Sequence, residues 1–520
     1  MSQLTVREAT LDLFRSAGID TLFGNPGSTE LPLFRDFPDD FRYVLGLQES
    51  VVVGMADGYA QARRNAAVVN LHSAVGVGHA AGNIFTAYRN HTPLVITAGQ
   101  QARALLPHEP YLFAERATEF ARPYLKWAAE PARAADVPAA LARALAVSLQ
   151  SPCGPTLVSI PVDDWDEPAE AIANRTVART QSANPEQLAE FARRLDGAAR
   201  PAFVVGAEVA RDDAFDALLA LAEEHQAAVW VAPLSARCAF AENHPLFAGF
   251  LPGDRAAIAG LLAPCDLIAI FGAPAFTYHV DTPGPAVAPG TDLLLLTDDP
   301  AVASRIPQGL AVVGSLRAGL ATLLTLSTAP RREPPPTRPA PAAPAPDRLT
   351  DALVCARIAE LRPTQSIVVE EAPSSRAAMH AHLPIVARDG FFTCASGGLG
   401  HGLPAAIGMA LGRPQEKVIA LLGDGSAMYA IQGLWSAAQL GMPVTFIILN
   451  NRRYAALEHF AQHFGVEPLV GTDLPGLDFV ALATAQGCAA ARVTAARDLT
   501  GALERALSAT TPFLLEIVLD

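Results

Sequence analysis

A chain of 520 residues, 51% hydrophobic and 17% charged, is long enough for about three domains of ~150 residues, each with its own core. Its formal net charge of −14 argues against nucleic acid or an anionic membrane as a partner, and no apolar run reaches the ~20 residues of a membrane span. Six cysteines without CxxC spacing suggest reduced thiols and a cytoplasmic protein, and the opening MSQLTVREATLDLF reads as the start of an amphipathic helix, not a signal peptide.

Helix and strand alternate over residues 1–165. Thr5 to Ala17 has helical spacing. Thr21 to Phe23 is a short strand ending in Gly24-Asn25-Pro26-Gly27-Ser28. Tyr43 to Leu47 is a strand that ends at Gln48-Glu49, and a helix from Ser50 to Arg63 follows. Ala66 to Leu71 is a strand ending at His72. A helix with a Gly-rich start covers Gly76 to Arg89, and Pro93 to Ala98 is the next strand. This alternation predicts an α/β fold with parallel sheets, whose ligands gather at the carboxyl ends of the strands.

The charged stretch Asp163 to Pro168 opens a linker that runs to about Pro185, so the first domain is expected over 1–180. Residues 185–326 hold a second α/β pattern, with strands at Pro201 to Gly206, Ala228 to Val231 and Leu267 to Phe271. Residues 327–347 are rich in Pro and Ala and predict an extended linker. The third domain is expected over 348–520, with Pro512 to Leu519 as its last buried strand.

That third domain is organised around KVIALLGDGSAMYAIQGLWSAAQLGMPVTFIILNNRRY, Lys417 to Tyr454. Lys417 to Leu422 is a strand, Ala427 to Leu440 a helix, and Val444 to Leu449 a second strand, making one βαβ unit with neighbouring parallel strands. Gly423-Asp424-Gly425-Ser426 and Asn450-Asn451 fall at the two strand ends. Gly423 and Gly425 let backbone approach a phosphate, and the helix start after Ser426 turns N–H groups toward it. The carboxylate of Asp424 and the amide oxygen of Asn451 are hard ligands suited to Mg²⁺ or Ca²⁺. The plain alternative is a metal-free unit with Asp424 as a helix cap.

GDG followed, after a helix and a strand, by NN resembles the thiamine diphosphate motif of enzymes that use that cofactor. The resemblance extends to the thiamine diphosphate-dependent 2-oxo acid decarboxylases, on their benzoylformate decarboxylase branch. It runs through FGNPGSTELPLFRDFPDDFRYVLGLQESVVVGMADGYAQ, VVNLHSAVGVGHA, VITAGQQARA, VWVAPLSARCAF, FGAPAFTYH, ASGGLGHGLPAAIG and GDGSAMYAIQGLWSAAQLGMP, and so touches all three domains. It implies a pyrimidine-binding domain, a central domain and a diphosphate-binding domain.

The resemblance also implies roles. Asp424, the Asn451 side chain and the Arg453 carbonyl would hold the divalent ion. Glu49 would bond N1′ of the cofactor's aminopyrimidine. By itself Glu49 would read as a surface or helix-capping glutamate. Ser28 would bond the substrate carboxylate, and His72 and His279 would be the two active-site histidines, imidazole being suited to proton transfer near neutral pH. Leu399 would prop the cofactor in a bent shape. Further cofactor contacts are implied for Pro26, Pro373, Ser374, Gly397, Gly423, Gly425, Ser426 and Tyr454. Ala456 and Phe460 would line the substrate pocket, an apolar wall suited to a phenyl ring. The implied reaction is non-oxidative decarboxylation of an aryl 2-oxo acid, benzoylformate to benzaldehyde and CO₂, with a carboligation side activity. Another 2-oxo acid, or acetolactate-synthase-like carboligation, is the alternative. The implied assembly is at least a dimer and, in the family, a dimer of dimers.

Three positions depart from the pattern. His401 follows GGLG where the resemblance expects an aromatic residue of the substrate pocket. Pro373 stands in place of a threonine and lacks its donor. Arg452 replaces a glycine, so the metal loop should not rely on glycine's freedom at positive φ. Two features mislead. Gly76 to Gly82, GVGHAAG, imitates a nicotinamide-dinucleotide loop but lacks the acidic residue after the next strand. His459 and His463, one helical turn apart, lack the third ligand that zinc requires.

Overall fold

The computed structural model describes residues 4–173 and 176–520, the side chain of His459 lying outside the described residues. Two compact units form. The first gathers Met1–Ala178, Ala345–Arg376 and Ser396–Asp520, and the second gathers Arg179–Pro344 and Ala377–Ala395. Residues 377–395 thus go with the second unit although they lie within the stretch expected to form the third domain. Among the described residues no helix is long and apolar enough to cross a membrane.

The first sheet of the first unit has six strands: β1 (Thr21–Gly24), β2 (Arg42–Leu45), β3 (Ala67–Leu71), β4 (Leu94–Gln100), β5 (Trp127–Ala129) and β6 (Thr156–Pro161). They lie in the order β2-β1-β3-β4-β6-β5 and all pair in parallel. Every residue of β3 and β4 is buried, as expected of parallel strands covered on both faces. α1 (Val6–Ser16) starts on a capping box in which Thr5 and Glu8 satisfy each other's backbone N–H groups. α2 (Glu49–Arg63) starts one residue before the expected Ser50, because Gln48 is the cap: its Oε1 accepts from the Ser50 and Val51 amides. α3 (Ser73–Arg89) starts three residues before the expected Gly76. The Gly76 to Gly82 stretch is therefore helix, not a phosphate loop.

The second unit is built on β7 (Pro201–Val205), β8 (Ala228–Val231), β9 (Phe247–Phe250), β10 (Leu267–Phe271), β11 (Asp292–Thr297) and β12 (Leu310–Val313), ordered β9-β8-β7-β10-β11-β12 and all parallel. Residues 327–344 carry no regular structure, as the Pro/Ala-rich composition predicts, but they are docked. Arg332 donates to the carbonyls of Leu195, Asp196 and Ala198, closing the carboxyl end of the helix Pro185–Gly197. Arg338 lies over the rings of Phe247 and Phe250.

The second sheet of the first unit holds β13 (Ile367–Glu371), β14 (Val418–Gly423), β15 (Val444–Asn450), β16 (Ala489–Val493) and β17 (Phe513–Val518), ordered β13-β14-β15-β17-β16 and parallel. β14 and β15 are neighbours, as the βαβ reading requires. The helix expected over 427–440 is two pieces. α6 (Asp424–Met428) starts on Asp424 itself with Gly423 as cap, and α7 (Gly433–Leu440) follows after a turn. Gly433 presses on Leu403, whose Cδ2 would lie 2.6 Å from a Cβ at that position.

α5 (Gly402–Gly412) packs along α2 and joins the two sheets of this unit. The approach is close enough to need glycine on both helices. A Cβ on Gly58 would strike the Ala405 carbonyl, and one on Gly408 would strike the Met55 carbonyl. At the same seam His401 Nε2 meets Asp57 Oδ2 at 2.6 Å, with both side chains buried. Asn90 and Gln61 also donate to the Asp57 carboxylate. Burial disfavours both charges, but each ion overrules it for the other: the imidazole pKa is raised, with help from nearby Glu371, and the carboxyl pKa is lowered. The imidazolium's contribution to stability is complete below the ordinary histidine value of ~6.5 and fades as pH rises through the raised one; the carboxylate's is complete above ~3.9 and fades as pH falls through the lowered one. The seam is therefore tightest between those two ordinary values. Asp57→Asn should cost about 3–5 kcal/mol near pH 6, the toll of an unpaired buried charge. It should also flatten the decline in melting temperature between pH 6 and 9, as thermal scans at stepped pH would measure.

Candidate active site

The loop after β1 turns back on the end of β3. His72 is the first residue beyond β3 and the cap residue of α3. Its Nδ1 lies 2.8 Å from Glu30 Oε2 and 3.1 Å from Thr29 Oγ1. Glu30 is 1% exposed and also accepts from the Gly27 amide at 2.8 Å and from Thr29 Oγ1 at 2.6 Å. A buried carboxylate on Nδ1 fixes the ring and leaves Nε2 as the nitrogen free to exchange a proton. Glu30 is a site residue that sequence reasoning missed, although it stands two places after Ser28 in GNPGSTE. Pro26 and Ser28 are exposed beside it. Gly27 lies against His72, and an added Cβ would come within 2.2 Å of its Nδ1. Gly27→Ala should displace His72, cost roughly 1–3 kcal/mol by overpacking, and lower turnover while the Glu30 carboxylate is still present. Paired melting and rate measurements on that variant test this.

Glu49, the first residue of α2, is buried to 9% exposure on the same edge of the sheet. Gly76 of α3 lies beside it, where a Cβ would stand 3.5 Å from Oε1.

The second sheet builds the other half of the site. Asp424 leads α6 just past β14 and is 3% exposed. Its Oδ1 accepts from the Gly425 amide at 2.8 Å, while Oδ2 is buried with no hydrogen-bond partner among the described residues. Burial raises the carboxyl pKa, and the backbone N–H groups of Gly425, Arg452 and Arg453 draw it part of the way back. Those contacts place Asp424 beside the loop that follows β15, where Asn451 Oδ1 accepts from the Arg453 amide at 3.2 Å. Tyr454 covers Gly425, which has no room for a side chain against that ring. Arg452 overturns the expectation drawn from its lost glycine: it takes φ 61° itself. The cost of about 1 kcal/mol is offset where Asn450 Oδ1 accepts its N–H at 3.1 Å and its carbonyl accepts from Leu474 at 2.8 Å.

An orphaned buried carboxylate oxygen with an amide oxygen and backbone carbonyls nearby fits a hard divalent cation, which would complete the shell of Asp424. Among the described residues no cluster of three or more His, Cys, Asp or Glu side chains offers a softer metal site. Ser374 Oγ accepts from the Ala456 amide at 3.0 Å and ties the turn Pro373–Ser375 to α8 (Ala456–Phe464), the helix that carries Phe460 and His463. Gly397, at φ 72°, is exposed, and Leu399 is half-buried in the loop before α5.

The expected site residues do not all converge. His401, expected at the substrate pocket, lies at 1% exposure with its Nε2 on Asp57 at the α2–α5 seam. His279 belongs to the second unit, where its amide donates to the Gly253 carbonyl at 2.7 Å. Within one chain, and among the described residues, no hydrogen bond joins Glu49 to Asp424 or Asn451.

Three family matches cover the chain: Thiamine pyrophosphate enzyme, N-terminal TPP binding domain over residues 4–116, central domain over 188–323, and C-terminal TPP binding domain over 374–517. The sequence is 42% identical to a benzoylformate decarboxylase of Pseudomonas aeruginosa, over 99% of this chain and 98% of that one. It is 27% identical to the acetolactate synthase large subunit of Parasynechococcus marenigrum, over 98% of this chain and 86% of that one. The crystal structure of benzoylformate decarboxylase from Polynucleobacter necessarius superposes with a TM-score of 0.97 at 38% identity, covering 99% of this chain and 98% of that one.

Proposed function

The chain belongs to the thiamine diphosphate-dependent enzymes, and from that premise we propose that it is a 2-oxo acid carboxy-lyase that converts benzoylformate to benzaldehyde and CO₂. The carrying observation is the 42% identity, end to end, with a benzoylformate decarboxylase. Acetolactate-synthase-like carboligation is the second reading, favoured by the more distant relative at 27%.

Bound thiamine diphosphate supplies a nucleophilic carbon for the keto group and an electron sink for the bond to the departing carboxylate. The chain's residues do the rest. Asp424, the Asn451 amide oxygen and the Arg453 carbonyl would hold a divalent ion, Mg²⁺ or Ca²⁺, which would help anchor the diphosphate; Asp424 Oδ2 has no hydrogen-bond partner among the described residues. Glu49 holds the proton shared with the aminopyrimidine, and its burial keeps water from competing for it. Ser28 Oγ donates to the substrate carboxylate. His72, locked by Glu30 at Nδ1, exchanges a proton at Nε2. His279 is the second proton carrier, Leu399 shapes the cofactor, and Ala456 and Phe460 face the aryl ring. A carboligation side activity follows if a second aldehyde reaches the same carbon.

Glu49 and Asp424 stand at the ends of different sheets, and among the described residues no hydrogen bond joins them within one chain, which suits a site shared between two copies. At least a dimer, and a dimer of dimers in its full form, is the proposed assembly. A cytoplasmic setting suits six cysteines without CxxC spacing.

The test mixes purified protein with thiamine diphosphate, Mg²⁺ and benzoylformate and follows both keto-acid loss and benzaldehyde. Benzaldehyde in step with keto-acid loss is expected. Inertness toward benzoylformate with acetolactate formed from pyruvate would replace this reading by the second.

A further inference from the structure

One face of α3 carries Gly76, His79, Asn83, Thr86 and Asn90, spaced three and four residues apart and so stacked along the helix. Each has a task. Asn83 Nδ2 donates to the Ser50 carbonyl at 2.7 Å and the Gly400 carbonyl at 3.2 Å. Thr86 Oγ1 meets Ser396 Oγ at 2.8 Å, and Asn90 donates to Asp57 at 2.8 Å. His79 is the member beside Glu49: its Nδ1 lies 3.1 Å from Glu49 Oε2. Its own carbonyl accepts from the Gln48 side chain at 3.5 Å, so the residue that caps α2 also grips the turn of α3 that bears the imidazole.

We propose that His79 is a positioning residue for Glu49. A glutamate on the first turn of a helix has three free torsions and swings unless something fixes it. His79 fixes it through one oxygen. With hydrogen on Nδ1, the imidazole donates to Oε2 and leaves Oε1 on the side of Gly76. The carboxylate is thereby aimed with one oxygen engaged by protein and one available to the aminopyrimidine. This inference rests on the reading of Glu49 given above.

The test measures exchange of the C2 proton of bound thiamine diphosphate for deuterium, by quenched-flow NMR, in wild type, His79→Leu, His79→Asn and Glu49→Gln holoenzymes. Cofactor affinity and melting temperature are measured alongside. Loss of a hydrogen bond to a charged group should slow exchange about tenfold in His79→Leu, with cofactor dissociation constant and melting temperature nearly unchanged. Asn, whose amide can donate from nearly the same place, should restore exchange to within about threefold of wild type. Wild-type exchange in His79→Leu, or equal losses in Leu and Asn, would overturn the proposal while slow exchange in Glu49→Gln kept the reading of Glu49. Wild-type exchange in Glu49→Gln would take down both.

Discussion

Glu49→Gln is expected to lower turnover by at least ~10²-fold, in the range of lost acid–base catalysis. The substitution keeps size and shape and removes only the ability to hold a proton. The fold gives little reason for a collateral loss. Gln48, not Glu49, caps α2, so the first turn of the helix keeps its acceptor. An amide has nearly the size and shape of the carboxylate it replaces, and Gly76 beside it carries no side chain to crowd it. The variant should melt near the wild-type temperature and still bind thiamine diphosphate with Mg²⁺. Steady-state rates at saturating cofactor, with a melting curve beside them, decide the matter. Full turnover would remove Glu49 from cofactor activation.

Asp424→Asn should move two properties in opposite directions. Outer-shell partners of a metal are worth about 10–100-fold in affinity, and a direct anionic ligand at least that, so cofactor binding should weaken by ~10²-fold or more. The cofactor-free protein should gain stability. Its wild-type form buries a carboxylate whose Oδ2 has no hydrogen-bond partner among the described residues, and a neutral amide there removes the cost of burying the charge, worth about 1–3 kcal/mol. The pH dependence has a sign. A carboxyl whose folded pKa is raised contributes its full stability below the ordinary value and loses it as pH rises through the raised one, so the apo wild type should lose stability over that range and the variant should not. Calorimetric titration with Mg²⁺ and thiamine diphosphate, and apo melting from pH 4 to 7, separate the two effects. A purely structural Asp424 would lower apo stability on substitution.

The parallel sheets were legible because their strands are continuous apolar runs that stop at polar residues. β14 and β15, with Asp424 and Asn451 at their ends, are the clearest case. Helix starts were less legible. The start of α2 depends on the Gln48 side chain folding over two amides, and that of α3 on Ser73 accepting φ 54°, neither of which a propensity pattern announces. The pairing of His401 was hidden for a physical reason. Its sequence neighbours, the GGLG loop, suggest a pocket, but its partner Asp57 is 344 positions away, and separation on that scale hides any pairing from local reading. Glu30 escaped because its function arises from Gly27, Thr29 and His72 closing around it, although the carboxylate itself stood in plain view.

The glycines at the α2–α5 seam set a limit on how this protein can vary. Gly58 on one helix and Gly408 on the other each lie where a methyl group would collide with the opposing helix's backbone. The spacing between the two sheets is thus set by bare backbone, and no side-chain repacking can absorb a change there. In a saturation library, those two positions should tolerate nothing but glycine, while Ala456 and Phe460, on a helix whose outer face meets solvent, accept wide replacement. Substrate range can then drift under selection with the scaffold's register untouched, and attempts to redesign this enzyme should leave the seam alone and spend their diversity on α8.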